Sequence, residues 1–313
     1  MRRLTRRPRG MSRLREERGA IAVMVALLAP ILFGAAAIAI DSAAVWSARQ
    51  QVETGSDAAV LAVAMDCARN ACGDIKATSE AAFWANDVAA KLSDLGPGQG
   101  WISVSGRQIS QTQKMPWRVN HFFAAALGFD TGELSVQSFA EWAPTSSAKS
   151  EIPLIVSRCT YDSLRGAMDS TAVVSLPLKT ALSGSCTYGG TALTKGTALT
   201  AADTSACRTT SVWNTTVKQR TSTALPSACT TAYLTGLVGR DIVVPVFDQV
   251  TTAGSTTTLR VYGYAAFHVT AYDSANTALR GYFTWAPRQV DATTPPASGA
   301  PDLGARSVYL TKD

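Results

Sequence analysis

The chain has 313 residues, with 29 basic and 23 acidic side chains and a formal net charge of +6. Eight arginines and two glutamates before residue 19 account for all of this excess, so the rest of the chain is neutral. The excess of basic over acidic residues is therefore confined to the N-terminal tail, and it gives no support to nucleic-acid binding.

An apolar stretch over residues 20–40, AIAVMVALLAPILFGAAAIAI, contains no charged or hydrogen-bonding side chain. As a helix it would be roughly 32 Å long, which matches the ~30 Å hydrocarbon core of a bilayer. Pro30 and Gly34 weaken a helix, but membrane spans tolerate both. We predict a transmembrane helix here. The alternatives are a buried helix of a soluble protein and a signal peptide, whose apolar region is usually only ~7–15 residues.

The flanks of this stretch predict its orientation. Cytoplasmic flanks are enriched in arginine and lysine. We therefore predict that residues 1–19 form a basic cytoplasmic tail and that the chain after residue 40 is extracytoplasmic, in a single-pass protein of the cell membrane. The tail could also contact anionic lipid head groups.

The helix is predicted to continue beyond the membrane. Between Asp41 and Arg69, valines and alanines recur at helical spacing. Asp41 is the first charged residue after the span, and we predict that it marks the extracytoplasmic surface of the membrane. Trp46 would lie about 9 Å beyond Ile40, where interfacial aromatic residues settle.

The run from Arg18 to Ala64 resembles the N-terminal region of TadG-like proteins of the Tad (tight adherence), or Flp pilus, system, to which TadE-like proteins also belong. The matching positions are Gly19, Pro30, Asp41, Trp46, Arg49 and Asp57. The resemblance implies a non-catalytic role in pilus assembly or surface adherence, with pilus-assembly or envelope proteins as partners.

The same stretch is similar to the junction that prepilin peptidases cut, since Arg18-Gly19-Ala20 precedes the apolar run. Polymerising pilins carry a glutamate five residues into the mature chain, where this chain has Met24. We therefore predict that the anchor is retained and that the protein is not a major pilus subunit.

The six cysteines all follow the predicted span, on the oxidising side of the membrane, where an even number predicts disulfides. Cys67 and Cys72 lie where the long helix should end and are predicted to pair, although free or differently paired thiols are the alternative. Four cysteines then remain, with three possible connectivities: Cys159, Cys186, Cys207 and Cys229. A zinc site is disfavoured, because the chain lacks a CxxC motif and because His121 and His268 lie in apolar-aromatic runs.

The remaining pattern predicts an α+β fold. Residues 41–143 are predicted to form a pilin-like α+β region after the anchor. Its expected elements are a helix over 75–92, a strand over 101–104, a helix over 120–127 and a strand over 134–142.

Residues 151–290 are predicted to form a β-rich, cysteine-containing region. Its expected strands are Ile152–Ser157, Asp241–Phe247, Leu259–Tyr272 and Leu279–Trp285. The Thr-rich stretch 170–235 is predicted to loop over this sheet, and Pro245 to mark an edge position or a bulge. Residues 291–313 look like a linker-like tail with a small strand over Ser307–Leu310.

Chemical motifs are nearly absent: the chain has no GxSxG, HExxH or phosphate loop. Ser146–Lys149 fits SxxK by chance, without its partner motifs, and Asp248 is more simply a turn carboxylate than a ligand. We therefore predict neither catalysis nor a cofactor or metal. The leading alternative is an anchored adhesin or ligand-binding module unrelated to pili, followed by an anchored hydrolase.

Overall fold

The structure is a computed structural model that describes residues 13–86, 99–117, 132–168, 170–201, 206–289 and 299–311. Its helices are α1 (Arg13–Ala68), α2 (Ile75–Trp84), α3 (Arg158–Leu164) and α4 (Thr231–Thr235). Its strands are β1 (Gln99–Ser105), β2 (Gln108–Trp117), β3 (Gly132–Pro144), β4 (Ser147–Ser150), β5 (Leu154–Ser157), β6 (Val174–Pro177), β7 (Ala181–Tyr188), β8 (Thr191–Leu199), β9 (Thr209–Val212), β10 (Thr216–Lys218), β11 (Asp241–Ala253), β12 (Thr256–Asp273), β13 (Ala278–Thr284), β14 (Ala286–Gln289), β15 (Asp302–Leu303) and β16 (Ala305–Thr311).

Two compact units divide the chain. The first comprises Met1–Gly55, Trp84–Trp101 and Thr112–Val136, and the second comprises Ser56–Phe83, Ile102–Gln111 and Gln137–Asp313. The second unit thus takes residues from both predicted extracytoplasmic regions. The α+β class is confirmed, with a long N-terminal apolar helix followed by mostly β structure.

The long helix predicted to continue past the apolar stretch is confirmed, since α1 runs without a break to Ala68. The helix predicted over 75–92 is present as α2 but ends at Trp84, and residues 87–92 lie outside the described residues. Asp74 caps α2 by accepting hydrogen bonds from the N–H groups of Lys76 and Ala77 at 3.1 and 3.0 Å. The helix predicted over 120–127, with His121, lies outside the described residues.

A nine-stranded sheet forms the centre of the second unit. Its strand order is β6-β13-β12-β11-β5-β8-β7, and β10 and β15 also pair with β12. In β11, Ile242, Val244 and Val246 enter one apolar cluster, whereas Val243 and Phe247 enter another. Because successive side chains point to opposite faces, the unbroken apolar run of this strand reflects burial on both faces.

Pro245 lies inside β11, opposite Tyr264 of β12. Because β11 pairs with β12 on one side and with β5 on the other, the predicted edge position is wrong, whereas the predicted bulge fits the shift in register that begins between Val246 and Phe247. The N–H of Val243 donates to the Glu151 carboxylate at 3.0 Å, on the side away from β12. Pro245 lies two residues further along and directs its nitrogen to that same side. Pairing with β5 begins only at Val246. The missing N–H of Pro245 therefore removes no hydrogen bond from the β11–β12 ladder.

The Thr-rich stretch was predicted to loop over the sheet, and this prediction is wrong for much of it. Residues 174–199 supply β6, β7 and β8, which are strands of the sheet itself. Threonine is β-branched and suits a half-buried pleated surface. Its hydroxyls also bond the backbone: Thr197 Oγ1 donates to the carbonyl of Lys179 at 2.8 Å, and Thr180 Oγ1 accepts from the N–H of Leu199 at 3.0 Å.

A second sheet of five strands has the order β1-β2-β3-β16-β14. Within the second unit, Val60, Val63 and Ala64 of α1 pack with Trp142 of β3 and Val308 of β16. The linker-like tail predicted over residues 291–313 contains two strands, and the small strand predicted over Ser307–Leu310 lies within β16. Residues 291–298 lie outside the described residues. Residues 302–311 form β15 and β16; Ala305, Arg306, Ser307 and Val308 are all buried, and Val308 lies in this core.

Candidate functional site

The N-terminal part of α1 exposes its apolar side chains. Leu27, Phe33 and Ile38 are 68%, 72% and 70% exposed. In the part of the chain that the structure describes, α1 is the one helix long and apolar enough to cross a membrane. Monomeric soluble proteins rarely leave contiguous apolar surface of this kind in water, and each large side chain gains about 1.5–3 kcal/mol when fully buried in apolar surroundings. This surface fits a lipid environment.

Pro30 and Gly34 lie within this surface without ending the helix. Proline has no N–H, so the turn at Pro30 lacks one helical hydrogen bond. A Cβ atom added at Gly34 would meet nothing within 4 Å.

The six predicted family positions all lie on α1. Gly19, Pro30, Trp46 and Arg49 are exposed, with Trp46 at 67%, and Asp41 is half-buried. Asp57 faces the five-stranded sheet, where its carboxylate accepts a hydrogen bond of 2.6 Å from Ser138 Oγ. The structure thus gives Asp57 a packing role at the helix–sheet contact, and the functional roles of these positions remain predictions.

A disulfide closes the turn that follows α1. Cys67 and Cys72 are bonded, and Asn70 and Gly73 adopt the left-handed backbone conformation that reverses the chain. Thr78 of α2 donates to Asp66 at 3.3 Å across the same turn. The helix end and α2 are thereby held together by a covalent and a polar link.

The other four cysteines form two further disulfides, a connectivity that sequence left open. Cys159 of α3 is bonded to Cys186 of β7, and Cys207 is bonded to Cys229. The described chain contains no free cysteine. Both bonds fasten the Thr-rich stretch, whose strands contribute few large apolar side chains to the core.

Asp241 and His268 form a polar pair that sequence reasoning did not find. They are opposite each other on β11 and β12, with His268 Nδ1 2.7 Å from Asp241 Oδ1. Arg69 lies 3.8 Å from the other oxygen of Asp241, and the imidazole stacks on Tyr282 with a centroid distance of 5.1 Å. The signal available in the sequence was a carboxylate in one predicted strand and a histidine in the next. The strand register, which the sequence pattern did not give, places the two residues opposite each other.

The remaining candidates for chemistry have structural roles. Asp248, whose side chain is 7% exposed, accepts two hydrogen bonds from the Arg260 guanidinium at 2.9 and 2.6 Å, which raise the pKa of Arg260. Lys149 of the SxxK match is exposed on β4. Among the described residues, no group of three or more His, Cys, Asp or Glu side chains could hold a metal ion.

Two buried tyrosines form hydrogen bonds in the interior through their hydroxyl groups. Tyr161 donates from its hydroxyl to the carbonyl of Leu303 at 2.8 Å, and the hydroxyl of Tyr264 lies 3.1 Å from Ser211 Oγ. Burial raises the pKa of each to about 12. Both hydroxyls therefore stay protonated at any physiological pH.

In the described part of the chain, an exposed apolar helix near the N-terminus is followed by a unit that contains three disulfides. These features define a class: proteins with a single candidate membrane span followed by a disulfide-bonded unit. Residues 19–66 match the Tad family model, which is described as Flp pilus-assembly TadE/G-like. The resemblance to TadG-like proteins of the Tad system is thereby confirmed over this part of the chain. Neither the comparison with curated proteins nor the comparison with solved structures found a match.

Proposed function

We propose that this protein is a membrane-anchored, non-catalytic envelope protein of the Tad/Flp pilus-assembly type, which acts through contacts with other proteins. The observation that carries the proposal is the coincidence of two features. The TadE/G-like match over residues 19–66 covers the same helix that exposes its apolar side chains from Ile21 onward. A helix kept for burial in lipid would present this surface to the membrane and to other spans.

The orientation of the anchor is part of the proposal. Eight arginines before residue 19 favour a cytoplasmic N-terminus, and the tail they form could also bind anionic lipid. Three disulfides in the chain after the span favour an oxidising compartment for that part. We therefore place the β-rich unit outside the cytoplasm, where a pilin-like region would meet pilus-assembly proteins.

Retention of the anchor in the membrane is supported by Met24, which is 64% exposed on the apolar surface of α1. A carboxylate in lipid is costly, and it is kept where it can pair with another group. Met24 offers no charge to the freed N-terminal amine of a neighbouring subunit. Apolar contacts alone gain little over contacts with lipid, so the protein supports assembly without polymerising as a major subunit.

The experiment is affinity purification of the full chain from detergent-solubilised membranes of cells that express the pilus machinery, with mass spectrometry of the proteins recovered. We expect inner-membrane components of the pilus machine in the eluate. The matched control replaces residues 20–40 by a leucine-alanine run of equal length, which keeps the anchor and the extracytoplasmic unit. The control should recover fewer of those components.

Recovery of the protein without any pilus component would contradict the proposal. Specific binding of its extracytoplasmic unit to surface glycans, with no pilus component recovered, would favour an adhesin instead.

A further inference from the structure

Arg306 of β16 is the most deeply buried arginine of the second unit. Its residue is 8% exposed, and its guanidinium carbon lies 3.9 Å from the centre of the Trp285 ring. Its Nη1 donates to the carbonyl of Ala68, the last residue of α1, at 3.0 Å. Carbonyls in the last turn of a helix have no partner within the helix and carry partial negative charge. A buried guanidinium therefore caps the C-terminal end of the long helix.

Asp302 orients this guanidinium. Arg306 Nε and Nη2 lie 3.1 and 3.0 Å from Asp302 Oδ2. Arg107 reaches the same carboxylate at 3.2 Å but is half-exposed, with 51% of its side chain accessible. The two arginines thus share one acceptor, but only Arg306 contacts the helix.

The segment that carries Arg306, which we term the C-terminal clasp (residues 302–311), contacts three parts of the second unit. Its β15 pairs with β12 of the nine-stranded sheet. Its β16 pairs with β3 and β14 in the five-stranded sheet. Val308 and Leu310 pack in the apolar cluster that contains Val60 and Val63 of α1. The clasp therefore connects both sheets to the helix end.

We propose that the C-terminal clasp is a coupling device, which fixes the end of α1 to the β-rich unit through Arg306. Without the clasp, the carbonyl of Ala68 loses its capping guanidinium and the apolar cluster around Val60 and Val63 loses Val308 and Leu310. Once closed, the clasp transmits displacement of the β-rich unit directly to the helix. This coupling would operate whatever partner the protein binds.

The test is hydrogen–deuterium exchange, measured by mass spectrometry on the full chain in detergent micelles. The reporters are the amides of Arg69, Asn70 and Ala71, which donate to carbonyls of the last turn of α1. In Arg306→Met these amides should exchange about tenfold faster or more, because the capped carbonyl and the buried carboxylate each lose a partner. The internal reference is residues 241–247 of β11, whose protection should be unchanged.

Arg107→Met is the matched control, since it removes the other arginine on Asp302 and leaves the helix cap in place. Its reporter amides should exchange at the native rate. Native rates in Arg306→Met, or equal acceleration in Arg107→Met, would overturn the proposal.

If Arg306→Met also loses protection in β11, the exchange of the reporter and reference amides is measured in Arg306→Lys. Lysine keeps the charge but has no planar fork to reach both Ala68 and Asp302. Selective acceleration at the three reporter amides supports the clasp. Acceleration of reporters and reference together would overturn it, since Arg306 would then stabilise the unit as a whole.

Discussion

At the scale of single residues, the nearly buried Asp248 carboxylate is held by an arginine on the neighbouring strand. Asp248 and Arg260 are separated by the β11–β12 hairpin, and their pairing coincides with shifts in strand register between Val246 and Gln249. A residue that sequence marks as a possible ligand is thus committed to an ion pair.

Replacing Arg260 by methionine should therefore destabilise the protein. The Asp248 carboxylate would stay nearly buried without its partner, whereas the 42% exposed arginine side chain lessens the loss through solvent screening. We expect a decrease of about 2 kcal/mol in the free energy of unfolding, measured by urea denaturation in micelles. Arg280→Met, at an exposed position on β13, is the control and should change stability by less than about 0.5 kcal/mol. Equal effects of the two variants would contradict the prediction.

Tyr161 should make stability depend on pH in the alkaline range. Burial raises its pKa from 10.0 to about 12 in the folded protein. Between these values the unfolded chain binds fewer protons than the folded one, so stability is complete below pH 10 and falls as the pH rises to 12. The loss from this group is roughly 2–3 kcal/mol.

The measurement is the urea midpoint at several pH values between 8 and 12. Tyr161→Phe should start about 1 kcal/mol less stable, because the hydrogen bond to Leu303 is lost. It should then lose less stability above pH 10, with Tyr264 still contributing a decline. Parallel pH curves for the variant and the native protein would show that Tyr161 is not the source.

At the scale of elements, β12 and β13 pair at a separation that leaves no room for a side chain at Gly281. Gly281 is opposite Val269, beside a shift in register. A Cβ atom there would overlap the carbonyl oxygen of His268 and approach Phe267 Cε1 to 2.8 Å. Since the first obstacle is backbone, it cannot move aside as a flexible side chain would.

Gly281→Ala should therefore part these strands and lower the free energy of unfolding by about 3 kcal/mol or more. Gly236→Ala is the control, because its added Cβ would lie 3.3 Å from the nearest atom and the backbone is in an ordinary helical conformation. Thermal unfolding followed by circular dichroism distinguishes the two. A Gly281→Ala variant as stable as Gly236→Ala would be inconsistent with this strand packing.

At the scale of the whole molecule, the proposed function requires that the N-terminal tail and the rest of the chain lie on opposite sides of the membrane. Protease added outside protoplasts should remove most of the chain and leave a small membrane-bound N-terminal fragment, because the arginine tail is expected inside. An antibody tag at each end reports the outcome. Changing the eight arginines to glutamine is the control and should weaken this orientation. Protection of the C-terminal tag in the native chain would reverse the assignment.

The sequence alone determined the long apolar helix that is the candidate membrane span, because a long apolar run has few stable environments other than lipid. It also determined the strands around Val244, Phe267 and Phe283, since β-branched and aromatic runs of that length have few alternatives in a folded unit. The family resemblance rests on this same local pattern, and the match over residues 19–66 confirms it.

Only the tertiary structure decided which distant residues meet. The connectivity of the last four cysteines, the pairing of Asp241 with His268 and the cap of Arg306 on Ala68 depend on how distant segments are arranged, which no local pattern encodes. The Thr-rich strands were missed for a related reason: their side chains bury little, and neighbouring strands supply the pairing that holds them. Local propensity follows from neighbours in sequence, whereas these contacts join residues up to 238 positions apart.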